Sequence, residues 1–222
     1  MNDILLLFNY IIYSLLTCFI IDYGLILTTG TKVRWFKLHG CYNMVMVGLT
    51  IDNVLKMIQN PYSGFDIINT DMAAIFALMI HIYHCMMFKL KPIDYWHHGI
   101  SVFFPIILIP NIPKCRYNCV YYFIGTGLPG GLEYFSLVFN KYHYITRYQQ
   151  KKISAYLNSY IRMPGGILAC AYIYLNSFNI DLMHQRYCMY MLTFIIYSNV
   201  TYFGKMSIEN YGENMYLKDK ET

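Results

Sequence analysis

The segment KPIDYWHHGISVFF, residues 91–104, sets two adjacent imidazoles, His97 and His98, at the mouth of an apolar run. Imidazole is costly in hydrocarbon, so a pair placed there needs a partner or a task. Asp94 precedes them and is expected to cap the helix that begins here, accepting amide hydrogens two or three residues on. The positive end of a helix disfavours imidazolium, so a histidine in the first turn tends to the neutral form. Neutral imidazole is the form that acts as general base or nucleophile. Successive helix residues point about 100° apart, so one histidine can face a cavity while Asp94 or a neighbouring helix holds the other. A two-histidine metal face would be better served by i,i+3 or i,i+4 spacing, and no metal site is expected.

The solvent around these residues follows from composition. The chain has 222 residues, 57% hydrophobic and only 13% charged. Soluble domains carry about a quarter charged residues, so the deficit points to a bilayer. The net charge of +5 is scattered among short loops rather than drawn into a stripe. Nucleic acid, which needs a continuous basic footprint with aromatic stacking, is therefore not an expected partner. The tyrosines lie within apolar runs and read as interfacial anchors. Seven cysteines occur without a CxxC, most of them in apolar segments, so buried thiols are expected rather than a Cys115–Cys119 disulfide.

Seven apolar stretches approach the roughly 20 residues that a helix needs to cross hydrocarbon. They fall near 4–27, 41–59, 72–88, 96–112, 118–139, 160–179 and 186–204. The first begins MNDILLLFNY and lacks a basic n-region and a cleavage site, so it reads as a retained span. Asp52 and Lys56 interrupt the second, and GTGLPGG at 125–131 is expected to break or unwind the fifth midway, against a polar interior. No internal repeat, soluble domain or linker stands out. The chain reads as one transmembrane domain over 1–222, with 1–33 an amino-terminal span before the core and 205–222 a tail.

Loop charge orients the spans. Lys32, Arg34, Lys37, Lys89, Lys91, Lys141, Arg147, Lys151 and Lys152 fall on one side if all seven cross. The positive-inside rule makes that side cytosolic, leaving the amino terminus lumenal and the carboxyl tail cytosolic. The tail ends KDKET, which resembles the dilysine signal that returns membrane proteins to the endoplasmic reticulum. That signal works only on a cytosolic tail, so the two arguments agree.

Depth then locates the polar groups. At about 1.5 Å per residue, His84 lies roughly 7 Å and His81 about 12 Å inside the cytosolic boundary. Their spacing puts both on one helix face. His97 and His98 open the next span from the same side, Glu133 falls in the inner half of span five with Asn140 at its rim, and Arg162 begins span six. Seven polar side chains from four spans thus share one half of the membrane. A carboxylate as deep as Glu133 must be neutral, paired or wetted, whereas Arg162 and Asn140 sit close enough to the boundary to snorkel.

With these residues assembled, the chain resembles the TRAM–LAG–CLN homology (TLC) domain family over roughly residues 34–204. The carriers are DYWHHGISV at 94–102, GGLEYFSLVFN at 130–140 and the RMP that opens span six at 162. The resemblance implies an all-α, multi-pass barrel of six or seven helices around a central cavity. It implies a role in lipid metabolism, with membrane lipids as partners and homo-oligomerisation open, while the KDKET tail points to the endoplasmic reticulum. His97 and His98 match the pair with which ceramide synthases transfer an acyl group from acyl-coenzyme A to a sphingoid amine. No bound cofactor is implied, only acyl-coenzyme A as co-substrate. The family's later His-Asp pair is missing, because His143 and His184 are not followed by Asp. That departure points to a less characterised, lipid-related branch.

Three functions compete. An acyltransferase would use His97 or His98 to attack or deprotonate, Asp94 and Glu133 to orient, and Arg162 or Lys91 to hold the coenzyme's phosphates. His81, His84 and Asn140 would line the substrate site. A non-catalytic lipid-binding, lipid-sensing or transport-assisting protein would use the same imidazoles only as hydrogen-bonding groups. A histidine-box oxidase or elongase would need an HxxHH run, and residue 85, after HIYH, is Cys.

Overall fold

A computed structural model describes residues 2–99, Leu108 and 112–221. Those residues are all-helical, with one isolated bridge, Ile67 to Cys115, and no strand among them. Most of span four, 96–112, lies outside the described residues.

Helix α1 (Asn2–Thr29) is apolar along its whole length and leaves Ile4, Phe8, Ile20 and Leu27 exposed. Among the described helices, only its stretch Ile4–Thr29 is both long and apolar enough to cross a membrane. Helix α3 (Asp71–Met87) is apolar but shorter. The other rods contain charges or π turns, so composition alone does not mark them as spans.

Helix α1 ends at Gly30, whose φ of 71° needs a residue without a Cβ, and the chain turns back into α2 (Arg34–Gln59). Three contacts hold that hairpin. The buried Lys37 ammonium donates to Thr29 O and Oγ1 and to Gly30 O, closing the negative end of α1. Asp22, 1% exposed, accepts from Arg34 Nε at 2.7 Å and from the Tyr83 hydroxyl of α3 at 2.6 Å. The Arg34 guanidinium also lies 4.7 Å above the Phe88 ring. One buried carboxylate therefore joins α1, α2 and α3, and the apolar cluster of Cys18, Leu38, Tyr42, Phe76 and Ile80 packs beside it.

The GTGLPGG stretch does not end its helix but widens it locally. Helix α5 (Tyr117–Tyr121) passes through a π turn (Tyr122–Gly127) into α6 (Leu128–Lys141). The wider turn absorbs Pro129, whose missing N–H and bulky ring would disrupt a regular helix at that point. The glycines serve a second purpose. A Cβ at Gly130 would lie 2.7 Å from Asn43 Nδ2, and one at Gly131 would lie 2.9 Å from Met44 Sδ. Small residues here bring α6 onto α2.

The same device recurs. Helix α7 (Arg147–Leu157), started by a Thr146–Gln149 capping box, runs through a π turn (Asn158–Arg162) into α8 (Met163–Ser177). LPGG at 128–131 and MPGG at 163–166 each follow a π turn, a short repeat that becomes visible once the turns are known. A Cβ on Gly165 would meet Ile124 at 2.5 Å, and one on Gly166 would meet Val200 at 2.6 Å. Val200 belongs to α9 (Met183–Glu221), a 39-residue helix that lies along both α8 and α7.

These contacts give an antiparallel order, with α1 and α3 against α2, then α5–α6, then α7–α8, then α9. Helix α4 (Pro92–His98) links the two flanks, touching α3 through His98 and His84 and α9 through His97 and Phe203. At one end of the bundle Lys114 pairs with Asp71 at 2.5 Å and Arg116 with Asp66 at 2.7 Å. The opposite end holds Lys32, Lys37, Lys89, Lys91, Lys141 and Arg147.

The tight glycine contacts make a direct prediction. Gly166→Ala forces a methyl group against Val200 and should cost about 1–3 kcal/mol, read as a lowered melting temperature in detergent micelles. Gly48→Ala, with nothing within 4 Å of the new carbon, should be neutral or stabilising in the same assay.

Candidate functional site

Five of the seven histidines meet at the basic end of the bundle, supplied by α2, α3 and α4. His84 stacks on Trp35, with ring centroids 3.6 Å apart and planes 11° apart. One turn along α2, His39 stacks on Tyr134 of α6 at 4.0 Å and meets His81 edge-on at 6.1 Å. His81 lies 5.6 Å from His97 and 5.2 Å from His98, and His84 lies 5.2 Å from His98. Aromatic walls on α2 and α6 thus hold imidazoles from α3 and α4 against one another. Such edge-to-face and stacked contacts each add about 0.5–1.5 kcal/mol beyond area burial.

The hydrogen bonds are directional. His81 Nδ1 is 2.8 Å from Ala77 O, one turn back on its own helix, which satisfies that nitrogen. His98, 3% exposed, has both ring nitrogens engaged: Nε2 is 3.4 Å from His84 Nδ1, and Nδ1 is 3.3 Å from Cys85 Sγ. With the thiol as donor to Nδ1, the His98 ring proton sits on Nε2 and faces His84; the other tautomer reverses both directions. His39 Nδ1 is buried without a partner. Among the described residues, no carboxylate hydrogen-bonds any of these rings. Nor is any group of three or more described His, Cys, Asp and Glu side chains arranged to hold a metal ion.

Glu133 stands beside this cluster, next in the chain to Tyr134. Arg162 Nη1 reaches Glu133 Oε2 at 3.2 Å and Asn158 Oδ1 at 3.0 Å. Ser154 donates to Glu133 Oε1 at 2.7 Å, and Asn158 Nδ2 donates to Ser154 O at 2.9 Å. Ser154, Asn158 and Arg162 follow one another at intervals of four along the α7–α8 rod, so all three face the carboxylate on α6. Arg162 Nε is buried without a partner, and Tyr134, the residue after Glu133, stacks on His39. The ion pair therefore borders the imidazoles rather than forming a separate feature.

A pocket of about 530 Å³ opens at the corner of α3 and α4, lined by Cys85, Phe88, Lys89, Leu90, Tyr95 and His98 among others. Its volume is within the range of small-molecule sites. Glu133 is not among its walls.

Several sequence expectations need correction here. Helix α4 starts at Pro92, so His97 and His98 stand in its second turn, and the argument from the helix's positive end does not reach them. Asp94 caps backwards: its Oδ2 accepts the Lys91 amide at 2.7 Å rather than an amide further on. Arg162 does not snorkel, because Glu133 holds it with its side chain 13% exposed. Asn140 donates to Ile145 O at 3.2 Å and braces the turn after α6 instead of lining the histidines. Lys91 is exposed at the start of α4. The thiols need no correction: all seven are free, Cys115 and Cys119 included.

Trp35, His39, Cys85, Tyr134, Ser154 and Asn158 were missed. The i,i+4 pair Trp35–His39 and the fourfold spacing of Ser154, Asn158 and Arg162 were readable signals. His39 was hidden because α2 begins at Arg34, seven residues before the apolar stretch near 41–59 that marks it in sequence.

Neither a family model, nor a curated protein, nor a solved structure matches this chain. Removing the carboxylate tests the ion pair. Glu133→Ala strands a mostly buried guanidinium and should lower stability by about 3–5 kcal/mol in thermal or denaturant unfolding. Combining it with Arg162→Met, which removes the stranded charge, should recover most of that loss.

Proposed function

We propose that this chain is a multi-pass membrane protein of the TLC type that transfers an acyl group from acyl-coenzyme A to a lipid amine or another lipid acceptor. The observation that carries the reading is His98. It is a buried imidazole, oriented through one nitrogen by His84, at the wall of a pocket with apolar sides and a lysine rim. A base held in one tautomer can take the proton of an attacking group and return it to a leaving group. Phe88, Leu90 and Tyr95 give the pocket an apolar lining suited to a hydrocarbon chain, while Lys89 and the exposed Lys91 suit the coenzyme's phosphates. His97 and His81 back His98, and the Glu133–Arg162 pair fixes the neighbouring helices.

The basic end would face the cytosol, with the amino terminus lumenal and the KDKET tail cytosolic, in the endoplasmic reticulum membrane. An acyl-coenzyme A made in the cytosol then reaches the pocket from the side on which its phosphates belong.

A second reading, a non-catalytic lipid-binding or lipid-sensing protein, is favoured by one observation: no described carboxylate bonds the histidines. The two are separated by purified protein in lipid nanodiscs, supplied with labelled acyl-coenzyme A and a sphingoid base or lysophospholipid. The acyltransferase should form labelled product, and His98→Ala should slow it by about 100-fold or more with the fold intact. Absence of product, with lipid that copurifies and persists in the His97→Ala/His98→Ala double variant, would select the non-catalytic reading.

A further inference from the structure

Seven cysteines are free, and Cys85 alone among them is exposed; the others are buried or half-buried. It is also the cysteine that touches an imidazole, with its Sγ 3.3 Å from His98 Nδ1, and both residues line the α3–α4 pocket. Behind His98, His84 Nδ1 stands 3.4 Å from Nε2, and Trp35 fixes the plane of His84 by stacking. The row runs from thiol to imidazole to imidazole, with the thiol end open to the pocket and the far end clamped by an indole. A nucleophile beside a base, the base oriented by a third group, is the arrangement that activates a nucleophile for acyl transfer.

His98 is poorly placed to be the nucleophile, since an attacking nitrogen needs a free lone pair. In the tautomer whose Nδ1 accepts the thiol proton, Nε2 carries the ring proton and faces His84, so neither nitrogen offers a free lone pair. Sulfur has no such restriction and faces the cavity. We infer that Cys85 is the acyl-accepting atom of this site, carrying a transient thioester, with His98 as its base and His84 as a positioning residue. This inference rests on the acyl-transfer reading and names the group that performs it.

The steps balance without a redox partner. The Cys85 thiol proton passes to His98 Nδ1 as sulfur attacks the carbonyl carbon of an acyl thioester. The bond from that carbon to the coenzyme's sulfur breaks, and the departing thiolate takes the proton from His98. The acyl group is now on Cys85. A lipid amine or hydroxyl then attacks the same carbon and gives its proton to His98. The Cys85 sulfur leaves as thiolate and is reprotonated by the imidazolium. One acyl group has moved, and the thiol and imidazole return to their starting forms.

The test uses the full wild-type chain in nanodiscs with alkyne-tagged acyl-coenzyme A and no acceptor, acid-quenched and mapped by mass spectrometry. The expected result is a hydroxylamine-labile acyl group on the Cys85 peptide that disappears when acceptor is added. Cys85→Ala should lose both label and transfer, and His98→Gln should form the label about 100-fold more slowly. Transfer to acceptor by wild type with Cys85 never labelled would overturn the inference while leaving acyl transfer standing. Label on Cys85 that is indifferent to His98, or that acceptor does not discharge, would also overturn it. Neither label nor transfer would remove both readings. Because the mapping is done on wild type, a Cys85→Ala chain that fails to fold does not decide the result.

Discussion

A charged or polar side chain inside an apolar helix bundle has no water to fall back on, so it must find its partner on another helix. Leaving it unpaired costs several kcal/mol, comparable to the whole stability of a small domain. Two carboxylates in this chain meet that constraint in the same way. Asp22 takes Arg34 and Tyr83, and Glu133 takes Arg162 and Ser154. The first ties α1 to α2 and α3; the second ties α6 to the α7–α8 rod. The histidines obey a softer version of the rule, stacking on Trp35 and Tyr134 and bonding to one another, to Ala77 O and to Cys85. Position in the bundle, more than local sequence, therefore decides what each polar group can do.

Backbone geometry serves the same end. The two π turns sit where α6 and α8 begin, each followed by a proline and a pair of glycines. The glycines let α6 approach α2 and let α8 approach both the first π turn and α9. π turns are enriched at functional sites because they re-aim side chains without ending a helix. Here the second one includes Asn158 and Arg162, which turn toward Glu133. Close packing at one face and polar convergence at the next are two outcomes of one construction.

Much of this was legible from residue types alone. Apolar runs marked the helices, and the i,i+3 spacing of His81 and His84 put both on the face that meets α4. The depth of Glu133 demanded a partner, and Arg162 is that partner. What stayed hidden depended on where helices start. Starting this helix just after Asp94 instead of at Pro92 turned Asp94 into the wrong kind of cap and put the histidines in the wrong turn. Reading proline and glycine as breakers missed the π turns, because a wider helical turn has the same composition as a break. Cys85 looked like a disqualifying residue in a histidine box, since its partnership with His98 joins two helices and has no sequence signature.

The site depends on α4 bringing its histidines inward to bridge α3 and α9, so that imidazoles from separate helices meet. Cross-linking in native membranes by a short bis-methanethiosulfonate reagent addresses this arrangement, with His97→Cys and Phe203→Cys in one chain, positions whose native ring centroids lie 5.9 Å apart. A 97–203 cross-link identified by peptide mapping is the expected result. No such bridge, with position 97 instead reacting freely with a water-soluble, membrane-impermeant maleimide, would contradict it.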